Sequence, residues 1–259
     1  MVLDWLINVH NLEKKPYKML FFGLIYSLIA AVLAIIIFPR EASAVALALT
    51  IAAFLPILLN VVKEEELKDE HSKISLLKHW PALKFFVFMF IGMVLTYIIL
   101  AFALPQDYVN SLFDMQIRTL VGRGVELGAI ISIKNSFLVI LLNNFKVLAV
   151  GILLAFIFGA GAIFILEWNA SVLGVLIGGL LRHSFDVSSL KYLIHGIPEI
   201  TAYFIGGLGS AIISMALARY KYNEAKFSQV LWDAFSLILL SIIVLIIAAI
   251  LEVTVSPLF

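Results

Sequence analysis

Residues 230–251 read VLWDAFSLILLSIIVLIIAAIL, and Asp233 is the one ionisable side chain among them. A helix needs about 20 residues to cross the hydrocarbon core of a bilayer, and this stretch provides them. Lipid offers no partner to backbone N–H and C=O groups, so a chain that crosses it must satisfy these groups within a helix. The stretch therefore predicts a membrane-spanning α-helix.

Earlier in the chain, similar apolar runs of spanning length occur at Tyr17–Phe38, Ala44–Val62, Leu83–Leu104, Val147–Leu166 and Ile197–Ala218. The mean hydropathy is +1.09, and charged residues make up 14% of the chain. Soluble domains carry about 25% charged residues. The predicted fold class is an all-α integral membrane protein with about six transmembrane helices.

Composition also excludes several classes of function. The chain has no cysteine, so disulfides, thiolate metal sites and cysteine nucleophiles are absent. Its net charge of +1 includes no basic stripe, so no nucleic-acid partner is predicted. Walker, GxSxG and HExxH motifs are missing as well. We treat the protein as non-enzymatic by default, leave enzymatic activity open, and predict no cofactor.

Positive charge predicts a cytoplasmic N-terminus in the cell membrane. Lysines at or before the start of the first run, or after the second run, are Lys14, Lys15, Lys18, Lys63, Lys68, Lys73, Lys78 and Lys84. Only Arg40 lies in the hairpin between these two runs. Lysine and arginine in short loops stay on the cytoplasmic side. The polar segment 63–81 is then a charged cytoplasmic loop.

Residues 170–181, ASVLGVLIGGLL, are apolar but too short to span a bilayer unaided. We predict a re-entrant or broken helix here, because Glu167 and Asn169 precede the segment and Arg182 follows it. Both termini are then cytoplasmic, with ten lysines and arginines inside and eight outside. A crossing helix would put the C-terminus outside, with eleven lysines and arginines inside and seven outside. Charge therefore does not decide between the two topologies.

The connection 106–133 predicts an interfacial amphipathic helix, since Asn110, Asp114 and Arg118 recur every four residues opposite an apolar stripe. The chain divides into an N-terminal three-helix region, residues 1–134, and a C-terminal core, residues 135–259. We expect the two regions to form one integrated membrane domain.

Small residues recur at a spacing of four in three C-terminal stretches. Such stripes let helix backbones approach closely in lipid. The predicted packing residues are Gly151, Ala155, Gly159, Gly174, Gly178, Ala202, Gly206, Ser210 and Ser214. These faces close either within one chain or between two copies.

Polar residues within apolar surroundings mark a candidate site, because such groups are expensive at membrane depth. The predicted buried polar site comprises Asn143, Asn144, Glu167, Asn169, His195 and Glu199. The asparagines either kink their helix or form interhelical hydrogen bonds.

In His195-Gly-Ile-Pro-Glu199, Pro198 can mark a helix start, with Glu199 in the first turn. Alternatively, His195 and Glu199 form an ionisable pair, four residues apart on one helix face, that binds a cation or relays a proton. A divalent metal ion on these two residues is a weaker hypothesis, since no third ligand is close in sequence.

The combination of these features resembles the stage II sporulation protein M family over about residues 135–210. The resemblance rests on Asn143-Asn144, Gly151, Gly159, Gly161, Asn169, Gly174, Gly178, His195-Gly196, Glu199, Ala202 and Gly206. Ile194 and Ala170 replace the proline and glycine usual in that family. The resemblance implies a membrane anchor or scaffold, as in the sporulation member, and supplies no catalytic residues.

Three hypotheses of function follow. In the first, a membrane scaffold recruits partners, either a second copy in a homodimer or other membrane proteins, within the lipid bilayer. In the second, a transporter or permease moves an ion or small molecule past Asn143, Asn144, His195 and Glu199. In the third, the protein binds a metal within the membrane or uses it as an enzyme.

Overall fold

The computed structural model describes residues 15–67, 79–122, 125–126, 129–130, 137–158, 161–183, 191–222 and 224–254. Within them lie nine helices and one short antiparallel strand pair. The helices are α1 Lys18–Ile37, α2 Ala42–Leu67, α3 Trp80–Ala103, α4 Gln106–Leu112, α5 Asp114–Gly122, α6 Phe137–Phe158, α7 Gly161–His183, α8 Lys191–Arg219 and α9 Ala225–Thr254. The strands are β1 Val125–Glu126 and β2 Ala129–Ile130.

Six helices in the described part of the chain are long and apolar enough to cross a membrane. These candidate spans are Lys18–Ile37, Ala42–Val61, Trp80–Ala103, Ile163–Arg182, Gly196–Ala218 and Ala225–Thr254. Large apolar side chains on the outside of α1 and α9, such as Phe21 and Leu239, are exposed as lipid-facing residues are. The predicted all-α membrane fold with about six spans is confirmed.

The prediction for residues 170–181 is corrected by the structure. They form the later part of the continuous helix α7 rather than a re-entrant or broken segment. The predicted run Val147–Leu166 likewise contains the end of α6 and the start of α7. Glu167 and Asn169 lie inside α7, where Glu167 accepts a hydrogen bond from Tyr97 and Asn169 donates one to the Ile165 carbonyl oxygen.

Paired contacts give the directions of the first, third and seventh helices. The Thr96 hydroxyl donates to the Leu24 carbonyl oxygen at 2.9 Å, and Gly92, one turn earlier, faces the backbone of Leu20. Residue numbers therefore increase in the same direction along the two helices, and α1 runs parallel to α3. Likewise Gly174 packs on Tyr97, while Arg182 reaches the end of α3, so α7 runs parallel to α3.

The chain returns between α3 and α7 through α6. Gly151 packs against Ile165 although they are only fourteen positions apart in sequence, so α6 and α7 form an antiparallel hairpin. Ser210 donates to the Ile152 carbonyl at 2.6 Å, and Glu199 bonds to Asn144, so α6 and α8 are parallel.

The last turn of the bundle reverses direction again. Gly206 packs against Ser241, while Gly209, further along α8, packs against Ala234, so α8 and α9 are antiparallel. The start of α2 lies near the end of α3, since Ser43 bonds to Gln116, so α2 runs opposite to α3. It follows that α1, α3, α7 and α9 share one direction and that α2, α6 and α8 return, with the 22-residue α6 as a seventh traversing helix beside the six candidate spans. The start of α1 and the end of α9 therefore lie at opposite ends of the bundle.

The predicted interfacial helix over 106–133 is two short helices followed by the β1–β2 pair. The two helices meet at Phe113, whose buried ring meets Tyr97 edge-on at a centroid distance of 5.7 Å. Arg118 and Asp114 pair on the exposed side at 2.9 Å. Of the predicted cytoplasmic loop 63–81, residues 68–78 lie outside the described residues, and α2 extends into it as far as Leu67.

Gln116 connects α5 to the bundle through its side chain, which is only 2% exposed. Its amide oxygen accepts a hydrogen bond from the Ser43 hydroxyl at 2.8 Å, and its amide nitrogen donates to the Ser171 hydroxyl at 3.0 Å. A buried amide needs such partners, since an unpaired one costs about 1–3 kcal/mol. The polar bridge therefore fixes α5 between the start of α2 and the middle of α7.

Candidate functional site

Asn144 and Glu199 meet between the parallel helices α6 and α8. The Asn144 side chain is 6% exposed, and its Nδ2 donates a hydrogen bond to Glu199 Oε1. Amide nitrogen and carboxylate oxygen are natural partners, because one only donates and the other accepts when ionised. Two of the predicted site residues, distant in sequence, are thus in direct contact.

The segment around Glu199 is helical on both sides. One interpretation of the sequence placed Pro198 at the start of a helix. The structure corrects this, because α8 begins at Lys191 and Pro198 lies inside it. Proline in a helix interior removes one backbone hydrogen bond. His195 belongs to α8, but its side chain lies outside the described residues.

Asn143 points the other way from Asn144. It is exposed, while Lys146, one turn further along α6, is also exposed. Leu142 and Phe145 are exposed on the same side. Consecutive helical residues point about 100° apart, so one asparagine enters the bundle and the other faces outward. The two predicted amides therefore do not converge on one cavity.

Glu167 occupies a separate polar contact among α2, α3 and α7. Its side chain is 1% exposed, and Oε1 accepts a hydrogen bond from the Tyr97 hydroxyl. Thr50, fully buried, is another polar neighbour of the carboxyl, and its hydroxyl donates to the Ala46 carbonyl oxygen at 2.9 Å. The other oxygen, Oε2, has no hydrogen-bond partner among the described residues.

Asn169 bonds within its own helix, where Nδ2 donates to the Ile165 carbonyl oxygen at 2.7 Å. The side chain therefore stabilises the local turn of α7. For metal binding, the described residues contain no group of three or more histidine, aspartate or glutamate side chains that could hold an ion.

Sequence reasoning missed several of the residues that make these contacts. Tyr97 and Thr50 lie inside apolar runs, where an aromatic ring or a small hydroxyl residue normally serves packing. Gln116 was hidden in the connection 106–133. A usable signal was present, because a tyrosine or glutamine buried in a membrane protein needs a polar partner.

Four described glycines of the small-residue stripes, Gly151, Gly174, Gly178 and Gly206, face other helices of the same chain. At Gly178, an added Cβ would lie 2.6 Å from the Ala101 Cβ and 2.8 Å from the Ile98 carbonyl oxygen. At Gly206, it would lie 2.7 Å from Leu148 Cδ1. Ala202 is fully buried. The side chain of Ala155, together with Gly159, lies outside the described residues.

Comparison with known proteins places most of this chain in a recognised sequence group. The SpoIIM model, described as stage II sporulation protein M, matches residues 82–257. An uncharacterized protein of Methanocaldococcus jannaschii is 32% identical over 131 residues, which are 49% of this chain and 74% of the relative. No solved structure matches. The region matched by the family model runs from the first turn of α3 through α9. It contains both polar contacts, Asn144 with Glu199 and Tyr97 with Glu167.

Proposed function

The chain belongs to the stage II sporulation protein M family, and we propose that it is a membrane scaffold that recruits another membrane protein through α6. The contact surface, called here the α6 outer face, consists of Leu142, Asn143, Phe145 and Lys146. The observation that carries this proposal is the outward direction of Asn143 on an apolar helix of the bundle.

An outward asparagine is costly if lipid surrounds it. Asn143 lies six residues after the start of α6, or about 9 Å along the helix axis. Lys146 can extend its amine toward the headgroups, but the short amide of asparagine cannot. Amide side chains stabilise contacts between membrane helices by hydrogen bonding across the interface. A partner helix with polar groups at this depth would satisfy Asn143.

The interior of the bundle supports a static role. Glycine and serine bring α3 against α7 and α8 against both α6 and α9, with neighbouring atoms too close for an added methyl group. Alternating access requires one group of helices to move against another around a site. Close packing of this kind resists such sliding, whereas a scaffold benefits from it.

The test is photo-crosslinking in the native membrane. A photoreactive amino acid replaces Asn143 in one variant and Ile243 in a matched control, because Ile243 is also exposed but lies on α9. We expect a protein adduct at position 143 and only lipid adducts at position 243. Lipid adducts alone at both positions would refute the proposal, and an adduct of twice the chain mass would identify a second copy as the partner.

Transport is the second candidate, favoured by the hydrogen bond between Asn144 and Glu199. A carboxyl between two membrane helices can take part in an ion or proton pathway. Reconstituted liposomes distinguish the two functions. A transporter predicts proton or cation flux that is lost in Glu199→Gln, whereas a scaffold predicts no flux in either protein.

A further inference from the structure

The carboxyl of Glu167 has an unequal environment that the scaffold function does not use. Oε1 accepts the Tyr97 hydrogen bond, while Oε2 is buried without a hydrogen-bond partner in the described part of the chain. Thr50 is the other polar neighbour, but its hydroxyl donates to the Ala46 carbonyl oxygen at 2.9 Å. A hydroxyl has one proton to donate, so Thr50 cannot give the same proton to Glu167.

An ionised carboxylate in this position would be poorly compensated. No described cationic side chain forms an ion pair with Glu167, and one hydrogen bond from Tyr97 faces a full negative charge. Burying a charge without a paired partner costs several kcal/mol.

Two ligands can cancel this charge, a metal ion or a proton. Hard cations such as Ca²⁺ take six to eight oxygen ligands, and Mg²⁺ prefers six. The contacts described around Glu167 offer one carboxyl and two hydroxyls, and no acidic or histidine cluster accompanies them among the described residues. A proton needs only one oxygen.

We propose that Glu167 is a proton-binding site, held as the neutral carboxylic acid between Tyr97 and Thr50. A proton from the aqueous phase forms an O–H bond at Oε2, and the negative charge disappears. The new O–H then donates to the Thr50 oxygen, whose lone pairs are available, after a small adjustment of the side chain. Tyr97 continues to donate to Oε1, so each oxygen of the acid has a partner.

Infrared difference spectroscopy tests this directly in lipid bilayers. The spectrum of wild type minus that of Glu167→Gln should contain one C=O stretching band of a protonated carboxyl group, because the variant lacks it. This band should shift when the samples are prepared in D₂O. The matched control is Glu199→Gln, another exchange on a described helix of the core, in which the band must persist. Loss of a carboxylate band alone in Glu167→Gln would overturn the proposal.

If Glu167→Gln fails to fold, Tyr97→Phe decides the question. This variant keeps the acid but removes the donor to Oε1, so the protonated C=O band should move to higher frequency. An unchanged band in Tyr97→Phe, or the absence of any protonated carboxyl band in wild type, would show that Glu167 does not hold a proton.

Discussion

Substitution of Gly178 by alanine should weaken the bundle, because α3 and α7 touch at this position. The added Cβ would lie 2.6 Å from the Ala101 Cβ and 2.8 Å from the Ile98 carbonyl oxygen. Carbon atoms in contact prefer about 3.5–4.0 Å, so the helices must separate by about 1 Å. Overpacking of this kind costs about 1–3 kcal/mol in the free energy of unfolding.

Separation of the helices should also strain a contact one turn away. Arg182 Nη1 donates to the Leu104 carbonyl oxygen at 2.8 Å, at the C-terminal end of α3. This hydrogen bond also places positive charge near the negative end of the helix dipole. Its loss would add about 0.5–1.5 kcal/mol to the destabilisation.

Gly196→Ala is the matched control. Gly196 is also a helical glycine, but no heavy atom lies within 4 Å of the position that an added methyl group would occupy. Both variants gain the helix propensity of alanine, about 1 kcal/mol, so that gain cancels in the difference between them. We expect Gly196→Ala to be at least as stable as wild type.

The assay is reversible unfolding in mixed micelles as the fraction of denaturing detergent rises, which gives the free energy of unfolding for each variant. Gly178→Ala should be less stable than Gly196→Ala by about 1–3 kcal/mol from overpacking alone, and by about 0.5–1.5 kcal/mol more if the Arg182 hydrogen bond is also lost. Equal stabilities would show that α3 and α7 are not packed backbone to backbone, and that the interior of the bundle is not tightly closed.

Three further predictions concern topology and polar contacts. With a cytoplasmic N-terminus, reporter fusions should place the connection 219–225 in the cytoplasm and the C-terminus outside, while a cytoplasmic C-terminus would contradict the helix directions. Gln116→Ala should lower the free energy of unfolding by about 1–3 kcal/mol, because it removes two buried hydrogen bonds of about 0.5–1.5 kcal/mol each, one from Ser43 and one to Ser171. Arg118→Ala, which removes an exposed ion pair, should change it by less than about 1 kcal/mol. Equal effects would refute the bridge. Asn144→Leu should lower the free energy of unfolding by about 0.6 kcal/mol, the average for a membrane hydrogen bond, while Asn143→Leu should not destabilise the isolated protein. The same detergent unfolding measures both variants. A larger loss of stability in Asn143→Leu would contradict the orientation of α6.

Five of the six predicted runs correspond to described helices because charge or loop residues bound them. The run Val147–Leu166 does not, since the junction between α6 and α7 falls within a continuously apolar stretch. Hydropathy measures transfer into lipid and is blind to a reversal of direction there. Residues 170–181 were judged too short because Glu167 and Asn169 interrupt the apolar sequence before them, although their helix begins at Gly161.

Contacts between distant residues were only partly predictable. Asn144 and Glu199 were grouped because both interrupt apolar sequence, and they are hydrogen-bonded across 55 residues of chain. Tyr97, the partner of Glu167, was missed because an aromatic residue in an apolar run does not reveal where its hydroxyl points. Small-residue spacing predicted close approach but could not say which helix each glycine meets.

The α6–α7 hairpin has a consequence for biosynthesis. Each helix of the hairpin carries polar side chains that disfavour its insertion into lipid on its own, Asn143 and Lys146 in α6 and Glu167 in α7. Since only residues 159–160 separate α6 from α7, we expect the two helices to leave the insertion machinery together, as a pair. Folding of the nascent chain would then depend on α1–α3 being already in place to receive that pair.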